Sequence, residues 1–383
     1  MSGRRIVRTR ALSFPHLSRA HFTSRARLTR VSATRTSATR ASAPVTRTSL
    51  VLAVVVALAG VAGCASADSA VPAAPAASAD APSTRAQEPP ADTSPFWVDP
   101  RSSAARQVQE WTAQGRTEDA DQLKKISERP VANWPAGDDP VPDVRRATAG
   151  ASGAGRTAVL VAYNIPHRDC GQHSAGGAAD SDAYRNWLDS FASTIGNART
   201  TVILEPDAVP HIVDGCTPAE VHDERSRLLS QSIDRLKQQP GTKVYLDAGN
   251  PAWITDPGKL VDPLKRAGVE KADGFSLNVS NFQRDEVVKS YGAQLSGLLG
   301  GAHFVVDSSR NGKGPLSGSR TDAWCNPTGR ALGKPPTDRT GNALLDAYLW
   351  IKRPGDSDGQ CRGGPAAGTW WPDYALGLAR ASG

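Results

Sequence analysis

Carboxylic acids at the ends of apolar runs are where this sequence could do chemistry. Val202, Ile203 and Leu204 read as a buried strand, and Glu205 and Asp207 flank a proline directly after it. Two carboxyl groups beside an apolar interior are expensive to hold unless they are paired or used. The pattern recurs along the chain. Asp169, Asp247, Asp307 and the Asp356/Asp358 pair each close or follow a similar apolar run. Taken singly, an Asp in a loop is ordinarily a turn or cap residue. Gathered on one rim, such a set would push some pKa values upward through burial and mutual repulsion. A protonated carboxylic acid facing ionised ones is equipment for cleaving a glycosidic bond.

Other chemistries fit less well. His167, Cys170 and His173 in "PHRDCGQH" offer metal-ligand atoms, but their spacing is no known zinc pattern, so no metal site and no cofactor is expected. No G-x-S-x-G elbow for a serine nucleophile is present. Of the nine tryptophans, Trp134, Trp253, Trp324 and Trp350 lie beside the presumed strand ends. An exposed indole there would offer a flat apolar face to a sugar ring.

The elements that must position these groups alternate. Apolar runs within 157–171, 200–210, 242–253, 274–282, 302–314 and 345–359 end in polar residues, Gly or Pro. Amphipathic segments separate several of them, as in successive βα units. In "DAYRNWLDSFASTIG", Tyr184, Trp187, Leu188, Phe191 and Ile195 fall at helical spacing and Trp187 belongs to the core. Thr217, Pro218 and Glu220 read as a capping box opening the next helix. The fold class is therefore α/β, with parallel strands closed or nearly closed into a barrel and the site at their C-terminal ends.

Charge and leader separate cleanly. The formal net charge is +7, yet the first 63 residues hold 11 arginines and no acid, leaving 34 basic against 38 acidic residues beyond them. The basic balance belongs to a removable end and gives no case for nucleic-acid binding. Leu50 to Ala62 is an apolar run of signal-peptide size, ending in Val61-Ala62-Gly63-Cys64. That ending resembles a bacterial lipobox, which implies cleavage and lipidation at Cys64. Residues 64–94, rich in Ala, Pro and Ser, read as a tether, and 95–383 as the folded domain. Cys170, Cys216, Cys325 and Cys361 remain for two disulfides, with three pairings open.

The motifs "VAYNIPHRDCGQHSAGG", "VILEPDAVP", "YLDAGNPAW", "VVDSSRNGKGP", "AWCNPTGRALGKPPT" and "DAYLWIKRPGDSDG" together resemble glycoside hydrolase family 6, the inverting cellulases. They occur in family order across 97–380. The resemblance implies a distorted, incomplete β/α barrel and hydrolysis of β-1,4-glucan. It places the general acid on Asp207, an assisting aspartate on Asp169 and the base on Asp358, with a water chain to Asp169 as the alternative base. Glu205 is assigned to support. Tyr163 falls beside the strained central sugar. Trp134, Asp247, Trp253, Asn278, Trp324, Lys352 and Asp356 complete the substrate-binding set. The implied disulfides are Cys170–Cys216 and Cys325–Cys361. The sequence departs from the family pattern at Asn250, where many members have His, at Asp356 for a commoner Glu and at Asn326 for a commoner Asp.

Members that attack chain ends roof the cleft with two long loops. Here only "GQCRGGPAAGT" follows Asp358 before Trp370, so an open cleft and internal cutting are expected. The alternatives are a cellobiohydrolase of the same family and a non-catalytic glucan-binding lipoprotein. The expected partner is a β-1,4-glucan, the expected form a monomer, and the location extracellular, anchored through Cys64 or released.

Overall fold

The computed structural model describes residues 94–318 and 323–383. The leader, Cys64 and the tether up to residue 93 lie outside the described residues. Among those described, no helix is long and apolar enough to cross a membrane.

Six strands form one sheet in chain order. They are β1 (Ala158–Ala162), β2 (Thr200–Leu204), β3 (Thr242–Asp247), β4 (Gly274–Leu277), β5 (Phe304–Asp307) and β6 (Leu345–Leu349), and every neighbouring pair is parallel. Parallel neighbours need a crossover, and helices supply it. Helices α1 (Ser103–Ala113), α2 (Thr117–Ser127) and α3 (Val141–Gly153) precede the sheet. Helix α4 (Ser181–Ile195) links β1 to β2, and α5 (Pro210–Val213) and α6 (His222–Leu236) link β2 to β3. Then come α7 (Gly258–Arg266), α8 (Asp285–Leu298) and, after β6, α9 (Pro372–Ala381).

The sheet does not close strand to strand. Residues 131–134 run between its two edges. Ala132 N donates to Trp350 O, Asn133 N donates to Val159 O, and Asn133 O accepts from Val161 N, each at 2.9 Å. The barrel is thus distorted and incomplete, as the resemblance implied.

Strand burial follows the two-residue period. Val159, Val161, Ile203, Tyr245, Val305, Ala347 and Leu349 fill an inner cluster. Their alternates Leu160, Ala162, Val202, Leu204, Val244 and Leu246 face outward into the helical layer. Both faces are covered, so the strands are nearly continuous apolar runs. Helix α4 buries the five side chains named from the spacing, and Asp180 caps it by accepting from Ala183 N at 2.8 Å.

Two readings need correction. The capping box at Thr217 does not form. The Thr217 hydroxyl accepts from Arg225 Nη1 at 2.7 Å, and a single 3-10 turn, Ala219–Val221, intervenes before α6 begins at His222. The pull of a buried guanidinium outweighs a local cap. Trp350 is no sugar platform either. It is 2% exposed and packs with α1, α2 and α9, its indole N–H donating to Lys334 O at 2.9 Å.

Candidate active site

Backbone strain marks one end of the barrel. Among the described residues, the non-glycine residues with positive φ are His167, Asp169, Cys170, Glu205, Asp207, Asn278, Ser280, Asn326 and Arg362. All lie in segments that follow a strand's C-terminal end. Such conformations persist only where surrounding contacts over-determine them. At Asp207, Ser280 and Asn326 those contacts include a carboxylate that accepts from the strained residue's own N–H.

Asp207 (φ 72°) sits on the loop after β2 and keeps partial exposure. Its backbone N–H donates to Asp247 Oδ2 at 3.0 Å. Asp247 is fully buried and also accepts from Gly249 N at 3.1 Å and Ser276 Oγ at 3.0 Å. Burial pushes the Asp207 carboxyl up to about 7, with Asp247 and Asp169 adding repulsion while His211 and a hydrogen bond from Tyr163 oppose it. Burial likewise lifts Asp247 to about 6. Glu205 is fully buried, raised by burial to about 7, and accepts from Asn164 N at 2.9 Å and Ile165 N at 3.1 Å. It ties the loop after β1 to the loop after β2.

Asp169 lies on that first loop and accepts from Ser174 N at 2.5 Å. The Cys170–Cys216 disulfide joins the two loops a second time, with Cα atoms 6.1 Å apart. Cys170 is therefore no thiolate ligand. One side-chain atom each of Asp169, Asp207 and His211 lie within 4.8 Å of one another. Tyr163 borders them, edge-on to Trp134 at 5.5 Å between centroids, with the Arg168 guanidinium 4.7 Å from its ring.

The opposite wall follows β5 and β6. Arg310, fully buried, donates from Nη1 and Nη2 to the two oxygens of Asp358, each at 2.9 Å. Lys352 Nζ lies 3.1 Å from Asp358 Oδ1, and Asn326 N donates to Oδ2 at 3.0 Å. Burial alone would raise the Asp358 carboxyl, but Arg310 and Lys352 outweigh it and hold it below the usual carboxylate range. The Asn326 side chain accepts from Asp358 N at 2.7 Å and donates to Gly359 O at 2.8 Å. The Cys325–Cys361 disulfide fixes the same segment. Asp307 staples the floor. It is fully buried and accepts from the backbone N–H groups of Ser280, Ser309 and Lys352, each at 2.9 Å.

Of the sugar-contact set, Trp134, Tyr163 and Trp253 are half-buried and Trp324 is 37% exposed, which leaves ring surface available. Trp253 donates from its indole to Asp214 Oδ2 at 2.9 Å, and Trp134 from its own to Ile351 O at 2.8 Å. Three residues of the expected substrate-binding set are buried. Asp247, expected to contact substrate, has no exposed surface and positions Asp207 instead. Asn278 is also fully buried, with Nδ2 donating to Asp307 O at 2.9 Å and Oδ1 accepting from Gln283 N at 3.1 Å. Asp356 is 3% exposed and ion-paired to Arg353 at 2.5 Å.

His211 and Arg310 had escaped notice. Arg310 meets Asp358 across 48 positions, and His211 reaches Asp169 on the loop after another strand, so no local pattern flags either pairing. Asn250, the departure from His, accepts from Ala252 N and Trp253 N, each at 3.1 Å, and so orients the Trp253 turn.

Comparison with known proteins agrees with this geometry. The family model described as "Glycosyl hydrolases family 6" matches residues 91–382. Endoglucanase A of Cellulomonas fimi is 42% identical over 295 residues, covering 76% of this chain and 62% of that protein. Endoglucanase 1 of Streptomyces halstedii is 40% identical over 309 residues, covering 78% and 92%. The solved endoglucanase Cel6 from Mycobacterium tuberculosis, in complex with methyl-cellobiosyl-4-deoxy-4-thio-β-D-cellobioside, superposes with a TM-score of 0.69 at 41% identity, covering 76% of this chain and 98% of that one.

Proposed function

Because the chain belongs to glycosyl hydrolase family 6, we propose that it hydrolyses internal β-1,4-glucosidic bonds of a cellulose-type glucan with inversion. The observation that carries this is the contrast in proton affinity across the cleft. Asp207 is held up to about 7 while Asp358 is held below its ordinary range. An acid that stays protonated near neutrality can donate to a leaving glycosidic oxygen.

Asp207 is the proton donor in this reading. Tyr163, Trp134, Trp253 and Trp324 supply surfaces for sugar rings. Asp358 already has both oxygens bound to cations, and a carboxylate so paired is a weak proton acceptor. It acts here as a fixed anion facing the positive charge that develops on the sugar. Asp169, which has no such cation pair on its oxygens among the described contacts other than His211 at 3.9 Å, takes the proton of the attacking water through the water chain. Glu205, Asp247 and Asn278 hold the backbone that aims these groups.

Internal cutting is favoured by how the last loop folds. Ser357 N donates to Thr369 O and Gly368 N to Ser357 O, each at 2.9 Å, and Trp371 N donates to Gly355 O at 2.8 Å. The segment after Asp358 folds back on itself, pinned further by Cys325–Cys361. Little chain is left to roof the cleft as a chain-end enzyme requires. The two disulfides suit an oxidising compartment outside the cytoplasm. Anchoring through a lipidated Cys64 and a monomeric state complete the proposal.

The test is hydrolysis of carboxymethylcellulose, following reducing ends and viscosity together. A fast viscosity drop that disappears in Asp207→Ala supports the reading. Sugar release with little viscosity change points to chain-end attack. Binding without turnover leaves a glucan-binding protein. For the anchor, Cys64→Ala is expected to move the protein from the membrane fraction to the medium.

A further inference from the structure

His211 stands among three carboxylates, two of them near it in sequence and the third, Asp169, on the loop after β1. It is buried at the start of α5, four residues beyond Asp207, and its backbone N–H donates to Asp207 O at 2.9 Å. Its Nε2 lies 3.9 Å from Asp169 Oδ1, at ion-pair distance. Its Nδ1 lies 3.3 Å from Asp214 Oδ2. That same Asp214 oxygen accepts the Trp253 indole N–H at 2.9 Å, and the His211 and Trp253 rings meet edge to face at 4.8 Å. The chain of contacts therefore runs Asp169, His211, Asp214, Trp253, with Asp207 alongside.

We propose that His211 is a positioning residue that sets the electrostatic state of the Asp169/Asp207 pair and, through Asp214, seats the Trp253 sugar platform. This rests on the endoglucanase reading of the site and deepens it. One imidazole contacts both the proton-handling pair and the support of a sugar-binding ring. A protonated ring holds Asp169 ionised, and an ionised Asp169 opposes loss of the proton from Asp207. The imidazolium also attracts the Asp207 anion directly and so limits how far that carboxyl rises.

The charged and titratable neighbours come from each packed element. Asp169 comes from the loop after β1, Asp207 from the loop after β2 and Asp214 from the end of α5. Asp247 lies behind Asp207 on β3. Arg225 on α6 binds the loop carbonyls of Pro166, His167 and Ala208. Tyr163 faces Asp207 and is kept neutral by burial. Burial of the His211 ring works against its charge, but Asp169, Asp207 and Asp214 together overcome it and raise its proton affinity.

The test compares pH profiles of kcat/KM on a soluble cello-oligosaccharide for the wild type, His211→Asn and His211→Gln. Loss of the imidazolium is expected to move the acid limb upward by about one pH unit. The alkaline limb should also move upward, because the Asp207 anion loses the attraction of the imidazolium. KM should rise as Trp253 loosens. Asp214→Asn should shift the limbs in the same direction by a smaller amount. A uniform fall in kcat/KM with both limbs unmoved would reduce His211 to a packing role and overturn the proposal.

A second readout needs no turnover. The His211 ring, assigned in NMR spectra by its loss in His211→Asn, is titrated in the wild type and in Asp169→Asn. Its midpoint should fall by about one unit in the variant. An unchanged midpoint overturns the coupling even if the enzyme is active. A lowered midpoint in a protein that cleaves no glucan would uphold the network and sink only the endoglucanase reading.

Discussion

The two walls of the cleft use the same residue type to opposite ends. On the wall after β1 to β3, Asp247 and Glu205 are buried against backbone N–H groups and Asp207 lies partly buried beside them; among the described contacts no guanidinium bonds to their oxygens, and all three are raised. On the wall after β5 and β6, Asp358 is buried too, yet Arg310 and Lys352 hold it ionised. Burial is common to both walls and cannot tell them apart. The placement of cations decides which carboxyl keeps a proton. The same contrast fixes opposite pH responses. A raised carboxylate binds more protons folded than unfolded, so its stability contribution is full below its unfolded pKa and is lost as pH rises through the folded one. For Asp358 the sign reverses. Its contribution is present above the unfolded value and lost as pH falls.

The most damaging way to break the contrast is to remove the donor. Asp207→Ala should lower turnover of a glucan polymer by about 10³-fold. A β-cellotriosyl substrate with a dinitrophenyl leaving group, which needs little protonation, should lose far less. Equal losses on both substrates would contradict the donor role.

Removing the cation from the other wall comes next. Arg310→Met takes the two-pronged partner from a buried anion and leaves it Lys352 and the Asn326 N–H, and should cost about 3 kcal/mol of stability in urea unfolding. Arg310→Met combined with Asp358→Asn should recover most of that loss. Failure to recover would mean that Arg310 matters through its packing on Phe282, whose ring lies 4.4 Å from the guanidinium, rather than through charge.

Glu205 sharpens the pH half of the comparison. Its rise from 4.5 to about 7 is worth on the order of 3 kcal/mol between the two limits. The wild type should lose stability between about pH 4.5 and 7, and Glu205→Gln should flatten that slope in a series of thermal melts.

Smaller effects separate scaffold from sugar contact. Asn278→Ala should cost about 1–3 kcal/mol of stability by orphaning buried partners, with KM unchanged in the correctly folded fraction. Trp253→Ala should show the reverse, with KM up roughly tenfold, equivalent to about 1.4 kcal/mol, and little change in melting temperature.

Much of this arrangement was legible before any coordinates. The six apolar runs mark the six strands because a sheet covered on both faces must be apolar along its length. The five apolar residues of α4 recur at helical spacing because one stripe of that helix faces the sheet. Asp169, Asp207 and Asp358 stood out as polar residues closing such runs, and the motif order gave them roles. The residues that escaped did so for a shared reason. Arg310 meets Asp358 across 48 positions, and His211 meets Asp169 from the loop after a different strand. Thr217 carried a convincing local cap signal and lost it to Arg225, eight positions away on the next helix.

By itself, then, the sequence determined the alternation of strands and helices, the end of the barrel that carries the chemistry and the carboxylates available there. These depend on local periodicity and on the cost of placing a charge beside an apolar run. Only the tertiary structure decided which carboxyls are raised, which one cations hold ionised and which grip backbone. Proton affinity is set within a few ångströms by burial and by cations, and the chain brings those neighbours together only when the barrel has formed.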